Sequence, residues 1–219
     1  MKQLSASVMC ADLLNMEKAV ADLEKAGIDY LHVDIMDGSF VPNITLGFDL
    51  INAIKKVSNI PLDIHMMVQQ PVRFLDSMHL GTEDIVCVHY ESDVHVHRTL
   101  EQIRKKGCKT GLALNPQTPV SCVQHLSDYT DMLLIMTVSP GFAGQKMFTG
   151  ALEKTKQARA LLDSSGYAHI PIEVDGNISF ENGKNLSKCG ADIFVLGTSS
   201  LFIPGKDMKQ SAEEFRAVL

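Results

Sequence analysis

Three apolar segments of this chain finish on side chains that bind metals and carry protons. They read Leu31-His32-Val33-Asp34-Ile35-Met36-Asp37-Gly38, Asp63-Ile64-His65-Met66-Met67 and Glu173-Val174-Asp175-Gly176. If each is a β-strand, the side-chain period of two puts His32, Asp34 and Met36 on one face. Taken singly, a histidine at a strand end reads as a hydrogen-bonded core residue. Three strands that agree read differently: His32, Asp34, His65 and Asp175 together offer the nitrogen and oxygen donors that suit one divalent transition metal ion, zinc foremost. A protein interior gathers desolvated carboxylates at one point only where something cationic compensates them. A ketone beside such an ion would have an acidified neighbouring C–H, because the charge of the enediolate left by deprotonation falls on oxygens next to a Lewis acid.

A second set of residues suits an anion. Ser139-Pro140-Gly141-Phe142-Ala143-Gly144-Gln145, Gly176-Asn177 and Gly197-Thr198-Ser199-Ser200 each follow an apolar run. Bare backbone N–H groups on such loops, with a helix N-terminus, make a phosphate cradle. Tight turns need glycine too, so the agreement of three late loops carries the reading. Met9, Met36, Met67 and Met136 lie at or near the ends of four different runs. Each alone is adaptable core filler; together they would wall a dry chamber beside the metal. No run ends in Lys, which excludes a Schiff-base aldolase, and no Ser-His-Asp arrangement is apparent. His95 and His97 lie in a polar stretch and read as solvated, while His79, His125 and His169 are isolated.

Such residues need a scaffold that brings distant strand ends together. Apolar runs at Leu4 to Met9, Tyr30 to Ile35, Pro61 to Met67, Ile85 to His89, Thr110 to Leu114, Met132 to Val138, Pro171 to Val174 and Ile193 to Leu196 number eight. Between them lie segments of helical spacing, such as Leu14 to Lys25, His97 to Lys106, Leu152 to Leu162 and Met208 to Val218. Alternation of this kind means parallel βα units. Gly27, Gly81, Gly107 and Gly190 recur just before strands, where glycine suits a helix C-terminus. Eight units of about 27 residues predict a single (β/α)8 barrel over residues 1–219, with its chemistry at the C-terminal ends of the strands. In that barrel Asp34 and Asp175 come from opposite sides of the mouth. One could remove a proton from one face of a carbon while the other returns a proton to the opposite face, inverting it. Their titrations would be coupled.

Of 219 residues, 45% are hydrophobic, and 20 Lys and Arg against 26 Asp and Glu leave a net charge of −6. This is a globular composition whose field repels nucleic acid. A chain of this size buries roughly 70% of its unfolded surface and needs no disulfide or structural metal to fold. No apolar run approaches the roughly 20 residues that cross a bilayer, and the N-terminus has no signal-peptide core. The expectation is a cytoplasmic protein acting on a small molecule, without nucleic-acid or membrane partners. Cys10, Cys87, Cys108, Cys122 and Cys189 are scattered and include no CxxC pair, so neither a disulfide framework nor a zinc ribbon is indicated.

Ser7, His32 to Asn43, Asp63 to Met67, Leu114 to Pro119, Ser139 to Gln145 and Glu173 to Gly176 resemble, in order and over nearly the whole chain, the motifs of the ribulose-phosphate 3-epimerase family. The resemblance implies a (β/α)8 barrel and a divalent metal ion (zinc, or manganese, iron, cobalt or magnesium) on His32, Asp34, His65 and Asp175. It implies Asp34 and Asp175 as the acid/base pair, Ser7 at the substrate, and Met36, Met67 and Met136 around the enediolate. Phosphate would lie on Gly141, Phe142, Ala143, Gly144, Gly176, Asn177, Gly197 and Thr198, and the enzyme would be a homo-oligomer. Pentulose-phosphate members usually carry Ser-Ala-Asp, Gly-Phe-Gly-Gly-Gln, Asp-Gly-Gly and Gly-Ser where this chain has Cys10-Ala11-Asp12, Ala143, Asn177 and Thr198. With Met136-Thr137-Val138 and Val195 to Phe202, these departures look more like the D-allulose-6-phosphate 3-epimerase branch. The expected reaction is therefore C3 epimerisation of the ketose phosphate D-allulose 6-phosphate to D-fructose 6-phosphate, the alternative being D-ribulose 5-phosphate to D-xylulose 5-phosphate. A phosphosugar decarboxylase would need Lys between Asp34 and Asp37, where Ile35 and Met36 stand. A non-catalytic sugar-phosphate-binding barrel would be expected to have lost Asp34 or Asp175.

Overall fold

In the computed structural model, which describes residues 2–219, the eight apolar runs are eight parallel strands. They are β1 Gln3–Ser7, β2 Tyr30–Met36, β3 Leu62–Met67, β4 Ile85–His89, β5 Lys109–Leu114, β6 Met132–Met136, β7 Ile172–Asp175 and β8 Ile193–Leu196. Each pairs with its sequence neighbours, and β8 closes on β1. Closure leaves no edge strand to protect, and this is the predicted (β/α)8 barrel.

Helices α1 Met16–Lys25, α2 Phe48–Val57, α3 Val96–Lys105, α4 Ala151–Ser164, α5 Phe180–Lys188 and α6 Met208–Val218 surround it. Each turns one stripe to the sheet: α1 buries Ala19, Val20 and Leu23 and exposes Glu17, Lys18 and Glu24. Two helices start on side-chain caps, Ser179 accepting from the Asn182 N–H and Asp207 from the Gln210 N–H. The repeat is less regular than the sequence predicts. The β3–β4 and β5–β6 connections carry short 3-10 turns, Pro71–Ser77, Val120–Val123 and Ser127–Tyr129, in place of α-helices. Gly81 accordingly follows no helix, whereas Gly27, Gly107 and Gly190 do end helices with positive φ. Strand β1 stops at Ser7 rather than Met9, because Val8–Cys10 folds into a 3-10 turn.

Outward-facing strand residues such as Leu31, Val33, Ile64, Val86 and Leu112 join the helices in the main apolar core. The barrel interior is divided. One side is the apolar cluster of Ile85, Cys87, Ala113, Met132, Leu134, Met136 and Ile193. The other holds Ser5, His32, Asp63 and Glu173, all fully buried, directly beneath the expected site.

Candidate active site at the barrel mouth

His32 and Asp34 stand two residues apart on β2, His65 pairs with Asp34 across the β2–β3 ladder, and Asp175 ends β7. The structure thus brings the four expected ligands together: their donor atoms all lie within 4.8 Å of one another. His32 Nε2 is 3.3 Å from Asp34 Oδ1 and 4.0 Å from Asp175 Oδ2, and His65 Nδ1 is 3.2 Å and 3.8 Å from the same two atoms. Buried His32 Nε2 has no hydrogen-bond partner, a cost that a cation at this point would remove. Two imidazoles and two carboxylates are a donor set that fits a divalent ion.

The far side of each imidazole is also held. His32 Nδ1 lies 2.5 Å from Asp63 Oδ2, which accepts from Ser5 Oγ at 2.9 Å. His65 Nε2 lies 2.8 Å from Nε2 of His89. Sequence reasoning quoted Asp63 and His89 within their strands and assigned them nothing. The signal was available, since a period of two places Asp63 on the face of His65, and His89 inward with Cys87. Ser7 Oγ donates to Asp34 Oδ2 at 3.1 Å.

The two aspartates are pushed apart in acidity. Burial works against charge on Asp34, yet the His32 and His65 imidazoles outweigh it and hold the carboxyl well below the usual range. Burial raises Asp175; His32 takes back part of that rise, and the charge of Asp34 adds to it. Beneath them Glu173 is pushed well above its ordinary value by burial and by Asp63. Neighbouring carboxyls driven in opposite directions are the arrangement of an acid and a base in one site.

Above these groups opens a cavity, continuous with solvent, lined by Met9, Met36, Met67 and Met136 and by Gly141, Phe142, Ala143, Gly144, Gly176, Asn177, Gly197 and Thr198. The expected methionine wall is present: Met36 and Met67 pack with Val41, and Met9 and Phe40 lie against them. The two long loops meet, Asn43 Nδ2 donating to the Gly141 carbonyl at 2.8 Å. Asn177 takes φ +52°, and its carbonyl and Oδ1 accept from Asn182 Nδ2 at 2.8 and 3.0 Å.

The profile of the ribulose-phosphate 3 epimerase family matches residues 3–202. The chain belongs to that family. This epimerase is 38% identical over 216 residues to the ribulose-phosphate 3-epimerase of Bacillus subtilis (strain 168), with 99% of each chain covered. It is 35% identical over 222 residues to that of Escherichia coli (strain K12), covering 100% of this chain and 97% of the other. Among solved structures it is similar to a 3-hexulose-6-phosphate synthase, with a TM-score of 0.67 at 18% identity and 100% of both chains covered. At that identity the likeness concerns the barrel alone. The epimerase is an isomerase of carbohydrate phosphates, and its reaction is epimerisation of a sugar phosphate at carbon 3. The relatives named above carry the ribulose-phosphate name and lend nothing to the expected hexulose phosphate. Among the described residues no helix is long and apolar enough to cross a membrane.

Proposed function

We propose that this epimerase interconverts D-ribulose 5-phosphate and D-xylulose 5-phosphate, with one divalent metal ion held by His32, Asp34, His65 and Asp175. The observation that carries the reading is the convergence of Asp34 and Asp175, from β2 and β7, on the same two imidazoles. Bound there, the ion would stabilise the negative charge that develops on the substrate's oxygens. One carboxyl of the Asp34 and Asp175 pair removes the C3 proton from one face, and the other supplies a proton from the opposite face. In the reverse direction the two exchange roles. Ser7 fixes Oδ2 of Asp34, so the carboxylate is oriented before the substrate arrives. Met36, Met67 and Met136 exclude water from the reacting carbons, and the N–H groups of Gly141 to Gly144, Gly176-Asn177 and Gly197-Thr198 hold the phosphate. As in the sequence reading, the enzyme is taken to be a cytoplasmic homo-oligomer, which light scattering of the purified protein checks.

The pentulose substrate is preferred because the relatives of highest identity given above are named for it. Cys10, Ala143, Asn177 and Thr198 all line the cavity and are where a longer sugar would have to be accommodated. The test is NMR in deuterated water with metal-loaded protein, following deuterium entry at C3 of D-ribulose 5-phosphate and of D-allulose 6-phosphate in parallel. Faster exchange with the pentulose, with D-xylulose 5-phosphate formed, is expected. Faster exchange with the hexulose overturns the substrate assignment, and exchange with neither overturns the site.

A further inference from the structure

His65 touches ring partners on two sides. Its Nδ1 faces Asp34 and Asp175, while its Nε2 lies 2.8 Å from Nε2 of His89, the last residue of β4. Two ring nitrogens at that distance share one hydrogen, so one donates and the other accepts. His89 is fully buried, its ring centroid 5.0 Å from that of His65 and 4.7 Å from that of Phe40. Its Nδ1 lies 3.4 Å from Glu91 Oε2; both atoms are buried and neither has a hydrogen-bond partner, so each is the nearest group able to satisfy the other. Glu91 is itself anchored, Oε1 accepting from the Asn115 backbone N–H at 3.0 Å and from the Thr118 hydroxyl. A carboxylate can only accept, so the hydrogen of His89 belongs on Nδ1 and its Nε2 is bare. His65 must then donate from Nε2, which leaves the Nδ1 lone pair pointing at the two aspartates.

We infer that His89, oriented by Glu91, is a positioning residue that sets His65 in the one tautomer able to bind a metal ion through Nδ1. The inference rests on the proposed role of His65 as a metal ligand. His32 differs, because a carboxylate, Asp63, faces its Nδ1 directly. For His65 the carboxylate stands one ring further out, so Glu91 sets the direction in which His89 and His65 share their hydrogen. Neither His89 nor Glu91 lines the cavity, so each acts on the reaction only through His65. Partners of this kind behind a ligating imidazole typically change metal affinity by about 10- to 100-fold.

The test compares wild-type protein, Glu91→Gln and His89→Phe. Two readouts are taken: the Zn2+ dissociation constant from competition with a chelator, and the tautomer of each buried imidazole from nitrogen-15 NMR. Glu91→Gln keeps an oxygen for Asn115 and Thr118 but turns an N–H toward His89 Nδ1, which drives the ring hydrogen of His89 onto Nε2, against His65. His89→Phe keeps the stacking and leaves His65 Nε2–H without an acceptor. Expected are a hydrogen on Nε2 of His65 and Nδ1 of His89 in the wild type, and Zn2+ binding weakened about 10- to 100-fold in both variants. A merely structural role for the pair would leave the tautomer of His65 unmoved. Wild-type Zn2+ affinity and an unchanged His65 tautomer in Glu91→Gln overturn the inference, and that variant decides the matter even if His89→Phe does not fold. Wild-type protein that binds no Zn2+ overturns both this inference and the ligand assignment beneath it, so the two failures are distinguishable.

Discussion

Asp34 and Asp175 approach a single nitrogen from two strands, Oδ1 of Asp34 lying 3.2 Å and Oδ2 of Asp175 3.8 Å from Nδ1 of His65. Closeness to one point with opposite shifts in acidity makes the pair suited to passing a proton across a carbon. Replacing either carboxyl by an amide removes a proton carrier and a negative charge together. Asp175→Asn and Asp34→Asn are each expected to lower the rate of C3 exchange by at least about 100-fold. Binding of an unreactive polyol phosphate, read by calorimetry, should change far less, because the glycine loops are untouched. Turnover at the wild-type rate in either variant would show that the proton travels by another group.

Metal removal has a thermal signature. The orphaned Nε2 of His32 and the four convergent donors mean that an ion would bind the folded chain far better than the unfolded one. Zn2+ at 100 times its dissociation constant adds about 2.7 kcal/mol of stability. For a chain of this size that is a rise in melting temperature of about 5–10 °C. Calorimetry should show the rise with Zn2+, its loss on chelation, and its absence in His32→Ala and His65→Ala.

Two glycines of the cavity separate conformational strain from collision. Gly144 takes φ +80° with nothing within 4 Å of a would-be Cβ, whereas at Gly176, φ +112°, that atom would lie 2.5 Å from Val138 Cγ2. Gly144→Ala should cost about 1 kcal/mol, the usual strain of an L-residue there. Gly176→Ala, which adds overlap with a packed side chain, should cost about 3 kcal/mol or more and raise KM for the sugar phosphate. Urea unfolding of the two variants measures the difference, and equal losses would show that Val138 yields freely.

Lys154 on α4 makes the chain's stability depend on alkaline pH. Only 7% exposed, it donates to the Asn115 carbonyl at 2.5 Å, and burial pulls its pKa from 10.5 down to about 8. Below about 8 both folded and unfolded chains hold the proton. Between about 8 and 10.5 the unfolded chain holds more, so this group's contribution makes stability rise with pH through that window. Side-chain NMR should find one lysine with a midpoint near 8, and Lys154→Met should remove its share of the slope. Lysine midpoints that all lie near 10.5 would contradict the burial argument.

Much of the site is legible in the sequence because it depends on local periodicity. A period of two is enough to put His32 with Asp34 and to aim His65 and Asp175 inward, and eight apolar runs separated by helical spacing are enough to require a closed parallel barrel. The methionine wall and the late glycine loops follow from the same rule, since both sit at strand ends. What local spacing cannot carry is the relation between strands. That His65 meets Asp34 on one side and His89 on the other follows from the register of β2, β3 and β4, which barrel closure imposes on all eight strands at once. By spacing alone His89 is indistinguishable from an ordinary core histidine, and Asp63 from a satisfied buried acid. The missing helices after β3 and β5, the contact of Asn43 with Gly141, and the opposite acidities of Asp34 and Asp175 likewise arise only in the folded chain. Each depends on distance and burial in three dimensions. The sequence by itself determined which groups face the mouth; the tertiary structure decided which of them touch, and so which can hold an ion, orient a ring or pass a proton.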